Sequence, residues 1–130
     1  MNCVFCQIIK NKIPNYKIFE DNQIIVILDA NPCTNGHSLI ITKQHYENII
    51  DIPQELLNHI NEICKLLYPL FKKTLACEGL TIIQNNNYGQ DVKHYHMHLI
   101  PRYKNDLFKN SFNQNIILQI EEIYHQIKEG

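Results

Sequence analysis

The chain has 130 residues, 45% of them hydrophobic and 19% charged, with a formal net charge of −1. That is enough for one domain whose core needs no disulfide staples. The near-zero charge excludes bulk attraction to nucleic acid or to an anionic membrane, and no apolar run reaches transmembrane length. Met1–Val4 lacks the basic and apolar segments of a signal peptide. Five cysteines, with only Cys3 and Cys6 close together, read as reduced thiols of a cytoplasmic protein rather than a secreted disulfide framework.

Cys3-Val4-Phe5-Cys6 opens an apolar-periodic stretch (Phe5, Ile8, Ile9, Ile13) that predicts a short helix. Its C-x-x-C is half of a zinc site, a redox pair or two buried thiols. Tyr16–Glu20, Asp21-Asn22 and Gln23–Asp29 read as strand, turn, strand, the second apolar enough to be covered on both faces. Asp29 ends that strand, as a pocket-edge carboxylate or a solvated strand end. Pro32–Gly36 is a loop by composition, and His37–Ile41 a third strand with His37 and Leu39 on one face. A helical turn follows His45. The longest helix comes next, with Asp51 as N-cap, Pro53 in its first turn and Gly79 as its stop. Leu56, Ile60, Ile63, Leu67, Leu70 and Phe71 form its core stripe, and Pro69 should kink it or cost a hydrogen bond near Lys65. Leu80–Gln84 is a fourth strand. At the C-terminus Ile116, Ile120, Ile123 and Ile127 recur at helical spacing and predict an amphipathic helix, packed on its own sheet or on a second subunit.

The most informative stretch is His94-Tyr95-His96-Met97-His98-Leu99-Ile100. At strand periodicity the three histidines share one face at a pitch of roughly 6–7 Å, while Tyr95, Met97 and Leu99 face a core. Such a row of imidazoles can receive a phosphate, a metal or both. The turn-forming run Asn85–Lys93 leads into it; Gly89 lets backbone N–H groups approach a ligand, and Gln90 adds a neutral donor. Backbone donors, an amide and imidazoles suit an anionic ligand.

These residues resemble the histidine-triad (HIT) family of nucleotide hydrolases and transferases, whose motif is His-x-His-x-His followed by two apolar residues. Phe5, Ile8-Ile9, Ile13-Pro14, Phe19-Glu20-Asp21, Leu28-Asp29, Gly36-His37 and Lys43-Gln44-His45 fall in the family's order and spacing. The resemblance covers about residues 3–104 of a single 1–130 domain and leaves 105–130 as a helical extension. It implies an α+β fold: a mostly antiparallel five-stranded sheet with the long helix on one face, in a homodimer.

The resemblance also implies a mechanism. His96 would be the nucleophile on the α-phosphorus of a nucleoside phosphoramidate or dinucleoside polyphosphate, giving a nucleotidyl-histidine that water hydrolyses. His98 and His37 would hold phosphate oxygens and help the leaving group, Gln90 would orient the scissile oxygen, and His94 would support the nucleophile. Asp29 would take the ribose hydroxyls of an AMP-like ligand. Val4, Phe5, Ile8, Ile13, Leu28 and Leu39 would form the slot for the base, and Asn85, Gly89 and Asp91 would lie near the phosphate. Asp91 stands where the family usually has Ser, Thr or Glu. Its ionised carboxylate can only accept, so a donor there must be the backbone N–H. Bacterial members that bind zinc do so with residues matching Cys3, Cys6, His45 and His94, a closed structural set. Two rival classes are a nucleotide-binding regulator with negligible turnover and a zinc-binding interaction module; Gly89-Gln90 and His37 disfavour both.

Overall fold

The computed structural model describes residues 3–109 and 111–130. A short helix α1 (Val4–Ile9) precedes the strands β1 (Lys17–Glu20), β2 (Ile24–Leu28) and β3 (Ser38–Thr42). The long helix α2 (Gln54–Leu75), strands β4 (Gly79–Ile83) and β5 (His96–Arg102), a 3₁₀ turn (Gln114–Ile116) and helix α3 (Ile120–Glu129) complete the chain. The strands form one sheet in the order β1-β2-β3-β5-β4, every pairing antiparallel. The α+β fold expected from the sequence is therefore the fold observed.

Register decides what the two faces carry. β3 and β5 pair Ile41 with His96 and Leu39 with His98, and directly opposed residues share a face. That face packs Ile25, Ile27, Leu39 and Ile41 against Phe5 and Ile8 of α1. The opposite face packs Ile24, Val26, Ile40, Met97 and Leu99 against Leu56, Ile60, Ile63, Leu67 and Phe71 of α2. β2 is covered on both sides, as its unbroken apolar run implies. Each fully buried isoleucine contributes about 1.5–3 kcal/mol over its exposed state, so the faces cannot exchange. The histidines are thereby confined to the side covered by the small helix, where a ligand can enter.

Several local expectations are corrected. Asp51 is not the N-cap of α2: Pro53 holds that position without a side-chain bond, and Asp51 accepts from the N–H groups of Glu47 and Asn48. Its carboxylate closes the preceding turn instead. Helix α2 runs through Pro69 and stops at Ala76, left-handed with φ 57°, whose N–H donates to the Lys72 carbonyl. Gly79 already begins β4. Leu70 is exposed, and the core stripe ends on Phe71. β5 begins at His96, not His94, because the Tyr95 N–H bonds the Tyr46 carbonyl at 2.6 Å rather than a β3 partner. Helix α3 does not pack on its own sheet: none of its residues is buried, and Ile120, Tyr124 and Ile127 are exposed.

Candidate functional site

β5 and its approach carry the histidine row beneath α1. His96 is 3% exposed, and Phe5 meets its ring edge-on with centroids 4.8 Å apart. Its Nδ1–H donates to the His94 carbonyl at 2.7 Å. In the neutral ring this leaves the lone pair on Nε2, the far side of the ring from that carbonyl. The His98 ring lies 5.1 Å from it, centroid to centroid.

A chain of hydrogen bonds fixes the tautomers of the next two rings. The Cys33 backbone N–H can only donate, and it reaches His37 Nδ1 at 3.0 Å. The proton of neutral His37 must then sit on Nε2, which lies 2.9 Å from His98 Nδ1 and 3.5 Å from Asp29 Oδ2. His98 accepts at Nδ1 and presents its own N–H at Nε2. Burial lowers the pKa of His37 below 6.5 despite the nearby Asp29 charge. For His98, burial lowers it first and the neighbouring His96 and His37 add to that. Both rings are neutral at pH 7. Asp29, His37 and His98 bring three donor atoms together as a metal would require. With the His37 proton on Nε2, however, that nitrogen has no lone pair to give, and the cluster is a hydrogen-bonded relay.

Gln90 is buried, with its amide nitrogen 2.6 Å from the Glu47 carbonyl and its oxygen accepting from the Asn87 N–H. Its amide is thus anchored to the turn before α2. Asn85 and Gly89 stand on the loop leading to β5; Gly89 needs its left-handed φ of 94°. Asp91 is 79% exposed, its Oδ1 held by the Val92 N–H and lying 3.5 Å from His96 Nε2.

Beside this row opens an apolar cavity of about 860 Å³, large enough for a nucleoside. Val4, Phe5, Ile8, Ile13, Leu28 and Leu39, the six apolar residues singled out in the sequence, all line it. Asp29 stands on its wall, where its carboxylate also accepts from the Asn31 N–H.

Cys3, Cys6, His45 and His94 converge separately, with their ligand atoms all within 4.8 Å of one another. Cys3 Sγ is 3.3 Å from His94 Nδ1, and Cys6 Sγ is 3.4 Å from His45 Nδ1 and 3.6 Å from His94 Nδ1. Tetrahedral zinc, with Zn–S of about 2.3 Å and Zn–N of about 2.0–2.1 Å, holds S and N about 3.5 Å apart. The His94 Nε2–H donates to the Thr42 carbonyl at 2.7 Å, which leaves the Nδ1 lone pair facing the thiols. The donor set fits zinc. The redox reading gives these two imidazole nitrogens no role.

The sequence did not say which main-chain groups would support the site: they are the Cys33 N–H and the carbonyls of Thr42, Glu47 and His94. Any residue supplies such a group, and only the folded path aims it.

Fold and site together define an α+β protein with an oriented histidine row beside a nucleoside-sized cavity. Residues 10–105 match the model of the HIT domain family. The chain belongs to the HIT family. It is similar to the adenosine 5′-monophosphoramidase of Saccharomyces cerevisiae, at 39% identity over 102 residues covering 77% of this chain and 62% of that one. The crystal structure of a HIT family member from Bacillus subtilis superposes with a TM-score of 0.84 at 31% identity, covering 99% and 94% of the two chains. A zinc-bound histidine triad family protein from Mycobacterium smegmatis superposes at 0.79 and 31% identity, covering 88% and 84%. Among the described residues, no helix is long and apolar enough to cross a membrane.

Proposed function

We propose that this chain is a nucleotide hydrolase acting at the α-phosphorus of nucleoside phosphoramidates or dinucleoside polyphosphates, through a nucleotidyl group on His96. The observation that carries the reading is the 2.7 Å bond from His96 Nδ1 to the His94 carbonyl, which reserves Nε2 for attack beside the 860 Å³ apolar cavity. The similarity to a monophosphoramidase supports the substrate class.

The base lies in the slot lined by Phe5, Ile8 and Leu39, and the ribose hydroxyls face the Asp29 carboxylate. His96 Nε2 forms a bond to phosphorus while the bond from phosphorus to the leaving nitrogen or oxygen breaks, the electron pair departing with the leaving atom. The His98 Nε2–H, set by the Cys33–His37 relay, faces a phosphate oxygen or the leaving atom. Water then attacks phosphorus, breaks the P–N bond and releases the nucleotide. The proton taken up by the leaving group in the first step is the one water gives back in the second. Gln90, pinned by Glu47 and Asn87, holds the loop against the phosphate.

Structural zinc on Cys3, Cys6, His45 and His94 belongs to the same reading. The zinc-bound relative and the S···N spacing support it. Zinc there would tie α1 to β5, and the chemistry stays with the imidazoles. The exposed apolar face of α3 and the free edge of β4 support a homodimer. Five free thiols support the reducing cytoplasm.

The test is acid-quenched mass spectrometry after mixing with an adenosine phosphoramidate. The expected result is an adenylyl adduct on the His96 peptide. Nucleotide binding with neither adduct nor turnover would instead make the chain a nucleotide-binding regulator.

A further inference from the structure

Among the described residues, Asp91 is the charged side chain beside the attacking nitrogen, with Oδ1 3.5 Å from His96 Nε2. The Val92 N–H holds that oxygen in place at 3.0 Å. Asp91 also lines a cleft of about 400 Å³ with Val4, Glu47, Val92, Lys93 and two members of the thiol–imidazole cluster, Cys3 and His45. Val4 borders both this cleft and the nucleoside cavity, so the two meet at one residue of α1. The ammonium of Lys93, the only Lys or Arg on the cleft wall among the described residues, donates to the Asn87 and Gln90 carbonyls and is turned toward the loop. A substrate with its nucleoside in the cavity that extends past Val4 into the cleft therefore meets two carboxylates, Asp91 and Glu47.

We infer that Asp91 is a specificity-determining residue of the proposed reaction, and that this cleft takes the leaving group and selects an amine, best one bearing a positive charge, over a polyphosphate. The inference rests on the hydrolase reading above. A site built for a departing phosphate chain places cations or aimed donors where the charge develops. Here two carboxylates face one ammonium, and that ammonium is engaged by the Asn87 and Gln90 carbonyls. A carboxylate a few ångströms from the reacting phosphorus raises the energy of each further negative charge and lowers that of an ammonium. Asp91 is largely exposed, so the effect is moderate and weakens with salt. It acts on the choice among substrates, while bond making stays with His96.

The experiment compares kcat/KM for three adenosine compounds: the phosphoramidate of a diaminoalkane, that of a neutral alkylamine of equal length, and a diadenosine polyphosphate. Wild type and Asp91→Asn are assayed at low and high salt, with Asp91→Ser as a second uncharged variant. Wild type should favour the ammonium-bearing leaving group over the neutral one by roughly three- to tenfold, the scale of one exposed charge at short range. Asp91→Asn and Asp91→Ser should both erase that preference and raise the relative rate of the polyphosphate, and high salt should do the same in wild type. An unchanged ranking in active uncharged variants would overturn the role of Asp91 and leave the hydrolase reading standing. Absence of turnover of all three by wild type would overturn both.

Discussion

The His94 carbonyl accepts the His96 Nδ1–H at 2.7 Å, while the His94 ring meets Cys3 Sγ at 3.3 Å. One residue thus fixes the tautomer of its neighbour with its main chain and joins the thiol cluster with its side chain. On the reading proposed here, His96→Ala loses the covalent step, a fall of several orders of magnitude in turnover, as when a nucleophile is removed. His98→Ala turns over more slowly and still forms the adduct. Quenched mass spectrometry on both variants separates the roles; an adduct formed by His96→Ala would refute the assignment.

Metal analysis should find about one zinc per chain in protein purified without chelator. Cys6→Ser should lose it and lower the thermal midpoint, since metal binding free energy is folding free energy. Cys6 lies on α1 and His94 just before β5, so hydrogen exchange should speed up in α1 while α2 stays protected. Zinc-free protein with an unchanged midpoint would count against the site.

Stability should rise with pH through the histidine range. His37 and His98 both have pKa values lowered from 6.5 by burial. As pH falls through 6.5 the unfolded chain takes up protons that the folded chain still refuses, so unfolding becomes easier on the acid side. Their contribution is fully present above 6.5 and is lost as pH falls through the lower folded values. Thermal midpoints at several pH values should therefore show a shallower slope in His37→Asn/His98→Asn than in wild type. Equal slopes would contradict the burial account.

Gly36→Ala should be costly. Gly36 has φ 90°, and a Cβ there would come within 2.5 Å of Leu75 Cδ1 and 3.2 Å of Pro101 Cγ. Backbone strain and overpacking together predict a loss of about 1–3 kcal/mol. Gly89→Ala has similar strain at φ 94° but meets only Asn85 Oδ1 at 3.9 Å, and should lose less. Denaturant midpoints rank the two.

Sedimentation at micromolar concentration should give twice the chain mass. Ile120→Glu/Ile127→Glu puts charge on the exposed face of α3 and should shift the mass toward the monomer. A wild-type monomer would reject the homodimer.

The sequence by itself determined the strands and which of their faces is which. Alternation of His96 and His98 with Met97 and Leu99 can be satisfied in a strand only by sending the two sets to opposite sides, and the stripe from Leu56 to Phe71 has no place but a core. The apolar slot and the Cys-His donor set came from the family resemblance, which the order and spacing of the residues carry. Tertiary structure decided what residue type does not encode. The tautomers of His96 and His37 depend on the His94 carbonyl and the Cys33 N–H, which any residue would supply. The end of α2 fell on a left-handed Ala76 rather than on Gly79, because Gly79 is paired with Arg102 in the sheet. The start of β5 was set by the Tyr46 carbonyl, 49 positions before Tyr95. Each of these turns on a main-chain group, local for the two imidazoles and distant for Gly79 and Tyr95, and only the folded path of the chain aims such a group.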